Sequence, residues 1–123
     1  EVPALQYSEL ASSKAAEPSA AIRDRVMLAR ERQKLRFRNA GEPIRSNSLM
    51  SARLVRDHCS LDEASQSRLE TAVKRMGLSA RAYHRILKVA RTMADLAGRD
   101  RIAGSDVAEA VRYRSLDRNY WMA

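Results

Sequence analysis

The chain has 123 residues, about the size of one ordinary domain and too short for two catalytic lobes. Hydrophobic residues make up 45% of it but aromatic residues only 5%, and glycine and proline are few. A net charge of +8 favours an anionic partner, the single cysteine excludes an intramolecular disulfide, and no apolar run approaches the roughly 20 residues of a membrane span. These features predict a mostly α, soluble and cytoplasmic protein.

Residues 1–17 are predicted to be an extended segment followed by a linker. Pro3 disfavours helix at Val2, so Glu1 to Leu10 is expected to be extended. The rest of the chain offers no partner strand, and a lone strand cannot satisfy its own backbone groups, so the segment looks like the last piece of a sheet. Small polar residues follow as a linker, and residues 18–123 form the predicted helical domain.

The first long helix is predicted from Ser19 to Arg38, where apolar residues recur at helical spacing on a broad and imperfect face. Seven basic residues stand against two acidic ones between Pro18 and Asn39. We expect these cations on solvated or partner-facing sides of the helix.

Two further helices are predicted from their caps. Residues 42–50 have the composition of a loop, after which Ser51 is expected to cap a short helix. Ser60 and Glu63 have the spacing of a capping box, which would begin a third helix that Gly77 ends.

The helix from Gly77 to Arg99 has the clearest division between its faces. Ser79 is a suitable N-cap, and Gly98 is a suitable terminator. One side is predicted to be an apolar stripe, formed by Ala82, Ile86, Val89, Ala90, Met93 and Ala97. Another side carries Arg81, Arg85 and Lys88.

The last helix is predicted to begin after Ser105, with Val107, Ala110 and Val111 on a narrow apolar face. The tail after Arg114, SLDRNYWMA, is expected to be loose.

The sequence contains no recognisable catalytic constellation. Its four glycines are scattered, and none belongs to a GxxxxGK[ST] phosphate loop. His58, Cys59 and His84 lack the spacing of a metal site, so no metal is expected. His58 and Cys59 are also poorly placed as a nucleophilic pair, because adjacent helical residues point about 100° apart.

Two interpretations of the basic side of the Gly77–Arg99 helix remain open from spacing alone. Arg81, Arg85 and Lys88 are either a solvated face or a phosphate-binding set. Arg81 falls in the first helical turn, where the backbone N–H groups and the positive end of the helix dipole favour an anion. A guanidinium there can bind a terminal phosphate with two hydrogen bonds.

The run SARAYHRILKVARTMADLAG, followed by the helix GSDVAEAVRYR, resembles the C-terminal region of the magnesium-chelatase-like AAA+ ATPases, the ComM/YifB competence protein family. The upstream pieces agree in order. EVPALQYSEL resembles the last strand of the ATPase core, RDRVMLARERQKLRF the first helix of the lid, and residues 44–78 the middle of the lid. The resemblance covers essentially the whole chain.

This resemblance implies a small helical bundle of about four to five helices, a lid that closes over ATP bound in a neighbouring α/β core. The sensor 2 arginine at the start of the lid helix would be Arg81, while Arg85, one turn further in, is less favoured. The Walker motifs would precede residue 1, so the chain is expected to be a C-terminal fragment that cannot hydrolyse ATP alone. ATP and Mg²⁺ would be bound by the full-length parent, itself expected to form a homo-hexamer that acts on DNA during natural transformation.

The remaining cations are expected to contact DNA or a neighbouring subunit. They are Arg30, Arg32, Lys34, Arg36, Arg38 and Lys88. Two alternatives stay open: the lid of a true magnesium chelatase ATPase subunit, and a stand-alone basic helical module that binds DNA.

Overall fold

The computed structural model describes residues 4–12 and 16–121, with side chains up to residue 114. Within these ranges all regular structure is helical, which confirms the predicted mostly α bundle. The elements are α1 (Tyr7–Ala11), α2 (Ser19–Phe37), a 3₁₀ helix (Asn47–Leu49), α3 (Ala52–His58), α4 (Glu63–Met76), α5 (Ala80–Leu96) and α6 (Gly104–Trp121).

Helix α5 lies at the centre of the bundle. It packs against α2, the 3₁₀ helix, α3 and α6, and α4 packs in turn against α6. Leu69 of α4 and Ala90 and Ala94 of α5 are completely buried. The same core takes Phe37 from α2, Leu54 and Val55 from α3, and Val107 and Ala110 from α6.

The buried face of α5 is rotated relative to the predicted apolar stripe. Ala82, Ile86 and Ala90 are buried as predicted, but Val89 is 38% exposed and Ala97 is exposed. Leu87 and Ala94 are buried in addition, as are two charged residues, Arg91 and Asp95. Because neighbours surround α5 on several sides, its buried face is wider than a single stripe.

Two of the four predicted N-caps are confirmed. The hydroxyls of Ser51 and Ser79 accept hydrogen bonds from the backbone N–H groups of Leu54 and Ala82. At the start of α4, however, Asp62 is the cap and Ser60 is not, since Asp62 accepts from the N–H of Ser65 at 2.7 Å.

The start of α6 also differs from the prediction. The helix begins at Gly104, so Ser105 lies inside its first turn. The side chain of Asp106, in the first turn, accepts a hydrogen bond of 2.8 Å from the N–H of Ala103, the residue before the helix, and so stabilises the helix N-terminus. Gly77 ends α4 as predicted, in the left-handed conformation with φ +62°, which favours glycine.

The two ends of the chain differ in part from expectation. Tyr7–Ala11 form a short helix with no buried residue, whereas an extended conformation was predicted as far as Leu10. Residues 1–3, where the extended segment was expected to begin, lie outside the described residues. At the other end α6 continues to Trp121, so the predicted loose tail is helical over most of its length, and residues 122–123 lie outside the described part.

Among the described helices, none is long and apolar enough to cross a membrane.

Candidate functional site

The first turn of α5 carries the residue that the sequence favours for phosphate binding. Ser79 caps this turn, with its hydroxyl oxygen 3.2 Å from the backbone nitrogen of Ala82. Arg81 is the second residue of the helix, and its side chain is exposed. Within the described part of the chain it has no hydrogen bond or ion pair. Its guanidinium therefore projects from a capped helix N-terminus with its donors available.

Arg85 lies one turn further along the same side of α5. It too is exposed and has no ion-pair partner among the described residues. Lys88 differs from both, since it is half-buried and donates a hydrogen bond from Nζ to the carbonyl oxygen of Ser48 at 3.2 Å. Lys88 thus ties α5 to the 3₁₀ helix, and Arg81 and Arg85 are left as the accessible cations.

A small cleft of about 200 Å³ borders the same end of α5. Tyr83 and His84 line it from α5, Arg56 from α3 and Gln66 from α4. The hydroxyl of Tyr83 lies 3.5 Å from the amide nitrogen of Gln66. The half-buried imidazole of His84 and the exposed side chain of Arg56 thus line the same cleft, which Arg81 does not line.

The cations of α2, together with Arg38 directly after it, divide into paired and unpaired groups. Arg32 lies 3.4 Å from Asp100 and Lys34 lies 3.1 Å from Glu31, and all four side chains are exposed enough for these ion pairs to contribute little to stability. Arg30 and Arg38 are exposed and have no hydrogen bond or ion pair in the described ranges. These two arginines therefore stay available for a partner.

Arg36 was expected at the surface, and the structure places it in a nearly buried ion pair instead. Its guanidinium donates to both carboxylate oxygens of Asp95, at 2.8 and 2.5 Å, and to the side-chain oxygen of Asn47 at 3.0 Å. Its side chain is only 14% exposed, and that of Asp95 is fully buried. Arg36 joins α2 to α5 and is not available as a DNA or subunit contact.

Asp95 is the centre of a larger buried network. The side-chain amide of Asn47 donates to it at 2.8 Å and also to the hydroxyl of Thr92 at 3.0 Å. Arg91 lies 3.1 Å away on the same helix. Burial alone would raise the pKa of Asp95, but hydrogen bonds from Arg36 and Asn47, with the charges of Arg36 and Arg91, outweigh it and hold the pKa below its usual value.

A second part of the network fixes the turn between α5 and α6. Arg91 donates to the carbonyl oxygens of Arg99 and Asp100 at 2.9 and 2.8 Å. Arg99 in turn makes two hydrogen bonds of 2.8 Å to Asp106. The sequence alone did not indicate the Arg36–Asp95 pair, because the two residues are 59 positions apart and no local spacing connects them. Arg91 and Asp95 do have the i, i+4 spacing of a helical ion pair, but that spacing does not show that the pair is buried.

His58 and Cys59 do not form a reactive pair. Burial raises the pKa of the Cys59 thiol to about 11, so the thiol stays protonated at neutral pH. Burial, together with the charge of Arg36, lowers the pKa of His58, whose ring packs edge-on against Phe37. Within the described residues, no group of three or more His, Cys, Asp and Glu side chains comes together as a metal site.

Comparison with known proteins gives the family. Residues 16–114 match the family described as magnesium chelatase, subunit ChlI C-terminal. The competence protein ComM of Haemophilus influenzae is 40% identical over 119 residues, covering 96% of this chain and 22% of ComM. The uncharacterised protein YifB of Escherichia coli is 40% identical over 102 residues, covering 83% of this chain and 19% of YifB. The chain thus spans about a fifth of the length of these relatives. It belongs to the magnesium chelatase C-terminal family.

Proposed function

We propose that the chain is the helical lid of a ComM-like AAA+ ATPase and that Arg81 senses the γ-phosphate of ATP bound in the ATPase core. The observation that supports this role most directly is the position of Arg81. It is an exposed guanidinium in the capped first turn of the central helix, with no partner in the described part of the chain. Backbone N–H groups and the helix dipole favour an anion at the same place.

The buried network supplies a way for contact at Arg81 to move the whole lid. Arg81 and Asp95 lie on the same helix, and Asp95 is bound to Arg36 of α2 and to Asn47 of the 3₁₀ helix. Arg91, also on α5, holds the turn that leads to α6. A displacement of the first turn of α5 would therefore move α2, the 3₁₀ helix and the turn before α6 together with α5, as a rigid body.

The test is ATP turnover by the full-length ATPase that carries this domain, with Arg81→Ala compared with the unchanged protein. We expect kcat to fall at least about tenfold, since the variant lacks one charged donor to the phosphate. Arg85→Ala should have the smaller effect, because Arg85 lies a turn further from the helix N-terminus.

The matched control is Arg75→Ala, which removes an exposed arginine from the last turn of α4. Turnover by this variant should stay unchanged. Turnover and ATP affinity that are both unchanged in Arg81→Ala would reject the sensor role. A larger loss in Arg85→Ala than in Arg81→Ala would move the role to Arg85.

The proposal extends to the parent protein. Its core would bind ATP and Mg²⁺, its subunits would form a homo-hexamer, and it would remodel DNA, with branch migration in natural transformation as the most specific role. The name of the competence protein ComM supports this choice. The lid of a true magnesium chelatase is the alternative, and a porphyrin-metallation assay with partner subunits separates the two.

A second candidate function is a stand-alone module that binds DNA through α2. The observation in its favour is that Arg30 and Arg38 are exposed and have no partner in the described residues. This function predicts DNA binding by the 123-residue chain that weakens steeply as salt rises. No binding at low salt would eliminate it.

A further inference from the structure

A groove runs between α2, α5 and the loop that follows α2. Its first part, of about 440 Å³, is lined by Val26, Ala29, Gln33 and Leu96 and bordered by Arg30, Lys34 and Arg45. Its second part, of about 590 Å³, contains Phe37, Pro43 and Ile44 and is bordered by Lys34, Arg38 and Arg45. Lys34 and Arg45 line both parts, so the two lie side by side.

The border of this groove is positively charged and largely uncompensated. No carboxylate lines the first part, and only Glu42 lines the second. Glu42 is occupied, since its oxygen Oε1 accepts hydrogen bonds from Ser51 at 3.0 Å and Arg53 at 3.4 Å. Arg45, like Arg30 and Arg38, is exposed and has no hydrogen bond or ion pair within the described ranges.

The floor of the groove is mainly apolar in the first part and mixed in the second. Ala29 and Phe37 are buried beneath it, Val26 and Ile44 are half-buried, and Leu96 is 42% exposed at its edge. An exposed leucine beside a concave surface favours a partner that brings apolar side chains of its own.

We propose that this groove binds an acidic peptide segment whose apolar side chains enter the floor while its carboxylates pair with Arg30, Arg38 and Arg45. Charge complementarity selects an anionic partner, and the apolar floor selects a peptide over a nucleic acid. Proteins that bind single-stranded nucleic acid commonly stack its bases on exposed aromatic side chains, and the aromatic side chain that lines the groove, Phe37, is only 3% exposed. The proposal is independent of ATP sensing at Arg81, and it is an alternative to DNA binding by Arg30 and Arg38.

The experiment uses the 123-residue chain and two fluorescein-labelled synthetic peptides of about 15 residues. Both carry glutamates, and one has leucines at helical spacing where the other has serines. Fluorescence anisotropy should show binding of the leucine peptide and at least about tenfold weaker binding of the serine peptide. A labelled oligothymidylate is the nucleic-acid arm and should bind more weakly than the leucine peptide.

The variant Arg30→Glu/Arg45→Glu should weaken binding of the leucine peptide at least about tenfold. Its matched control is Arg75→Glu/Arg101→Glu, which makes the same charge change at exposed sites outside the groove and should keep the affinity within about twofold. Leu96→Asn tests the floor and should also weaken binding. Circular dichroism establishes that each variant keeps its helical content.

Three outcomes would overturn the proposal. The first is no binding of the leucine peptide. The second is equal binding of the leucine and serine peptides, or tighter binding of oligothymidylate, since either would make the groove a general anion surface. The third is an equal loss of peptide affinity in the groove variant and its control, because the loss would then follow from the change in net charge and not from the groove.

Discussion

Asp95 shows how far the role of a charged residue can lie from its sequence context. It stands in the last turn of α5, a helix whose cations Arg81 and Arg85 are exposed, yet its carboxylate is fully buried and accepts hydrogen bonds from Arg36 and Asn47. Removing one member of such a buried group costs more than the pair itself contributes, because charges are left without a counter-ion.

Asp95→Asn should therefore lower the free energy of unfolding by about 3 kcal/mol, since Arg36 and Arg91 would keep buried charges without their carboxylate. Urea denaturation at pH 7 measures the change. Asp100→Asn is the control, since the Asp100 side chain is 98% exposed, and its variant should unfold almost like the unchanged chain. Equal stability of all three proteins would contradict the structural role of Asp95.

The same carboxylate predicts a pH dependence. Its pKa in the folded chain is below the unfolded value, so its contribution is complete above about pH 4 and is lost as the pH falls through the folded pKa. Once the carboxylate is protonated it resembles an asparagine side chain. The difference in unfolding free energy between the unchanged chain and Asp95→Asn should then shrink as the pH is lowered. A difference that stays constant down to acid unfolding would show that the charge of Asp95 is unimportant.

At the scale of the helix, the sequence predicts where helices lie better than which side chain caps them. Ser51 and Ser79 are caps as predicted, but Asp62 takes the place of Ser60, and Asp106 closes α6 where Ser105 was expected. Each displaced serine lies one or two residues from an aspartate that also favours a helix N-terminus, and sequence preference alone does not choose between neighbours.

Ser79, which caps α5, and Ser105, which does not cap α6, allow a matched test of capping. Ser79→Ala should lower the free energy of unfolding by about 1 kcal/mol, because the N–H of Ala82 loses its hydrogen bond. Ser105→Ala should change it by no more than a few tenths of a kcal/mol, since Ser105 is exposed inside the first turn and alanine favours helix. Thermal or urea unfolding of both variants measures the difference. A greater loss of unfolding free energy in Ser105→Ala than in Ser79→Ala would show that Ser105 does cap α6.

In helix α2, too, the sequence predicts the position of the helix better than the contacts that its charged side chains make. Its extent, Ser19–Phe37, matches the predicted helix to within one residue, because apolar spacing and the glycine that follows are local signals. The roles of its cations depend on residues that are distant in the sequence. Arg36 forms an ion pair with Asp95 of α5. Arg30 and the loop residue Arg45, which the sequence did not single out, both border the groove.

For the whole molecule, the helical bundle and the family are predicted by the sequence and confirmed, whereas the role of Arg81, which is exposed in the first turn of α5, stays a prediction. The groove could not be predicted, because it forms only when the loop after α2 folds back beside α2 and α5. The wide buried face of α5 also required the fold, since it reflects contacts with α2, α3 and α6 together.

The unequal burial of the helices predicts where the bundle opens first. Helix α5 has seven buried residues, whereas α1 has none and the buried residues of α2 begin only at Ala29. Hydrogen exchange measured by mass spectrometry should therefore show the slowest exchange in residues 86–94 and exchange at least about a hundredfold faster in Tyr7–Ala11 and in residues 19–25. Slow exchange confined to the second half of α2 would agree with its anchoring through Arg36. Equal protection of Ser19–Arg25 and α5 would show that contacts other than this core hold the start of α2 in place.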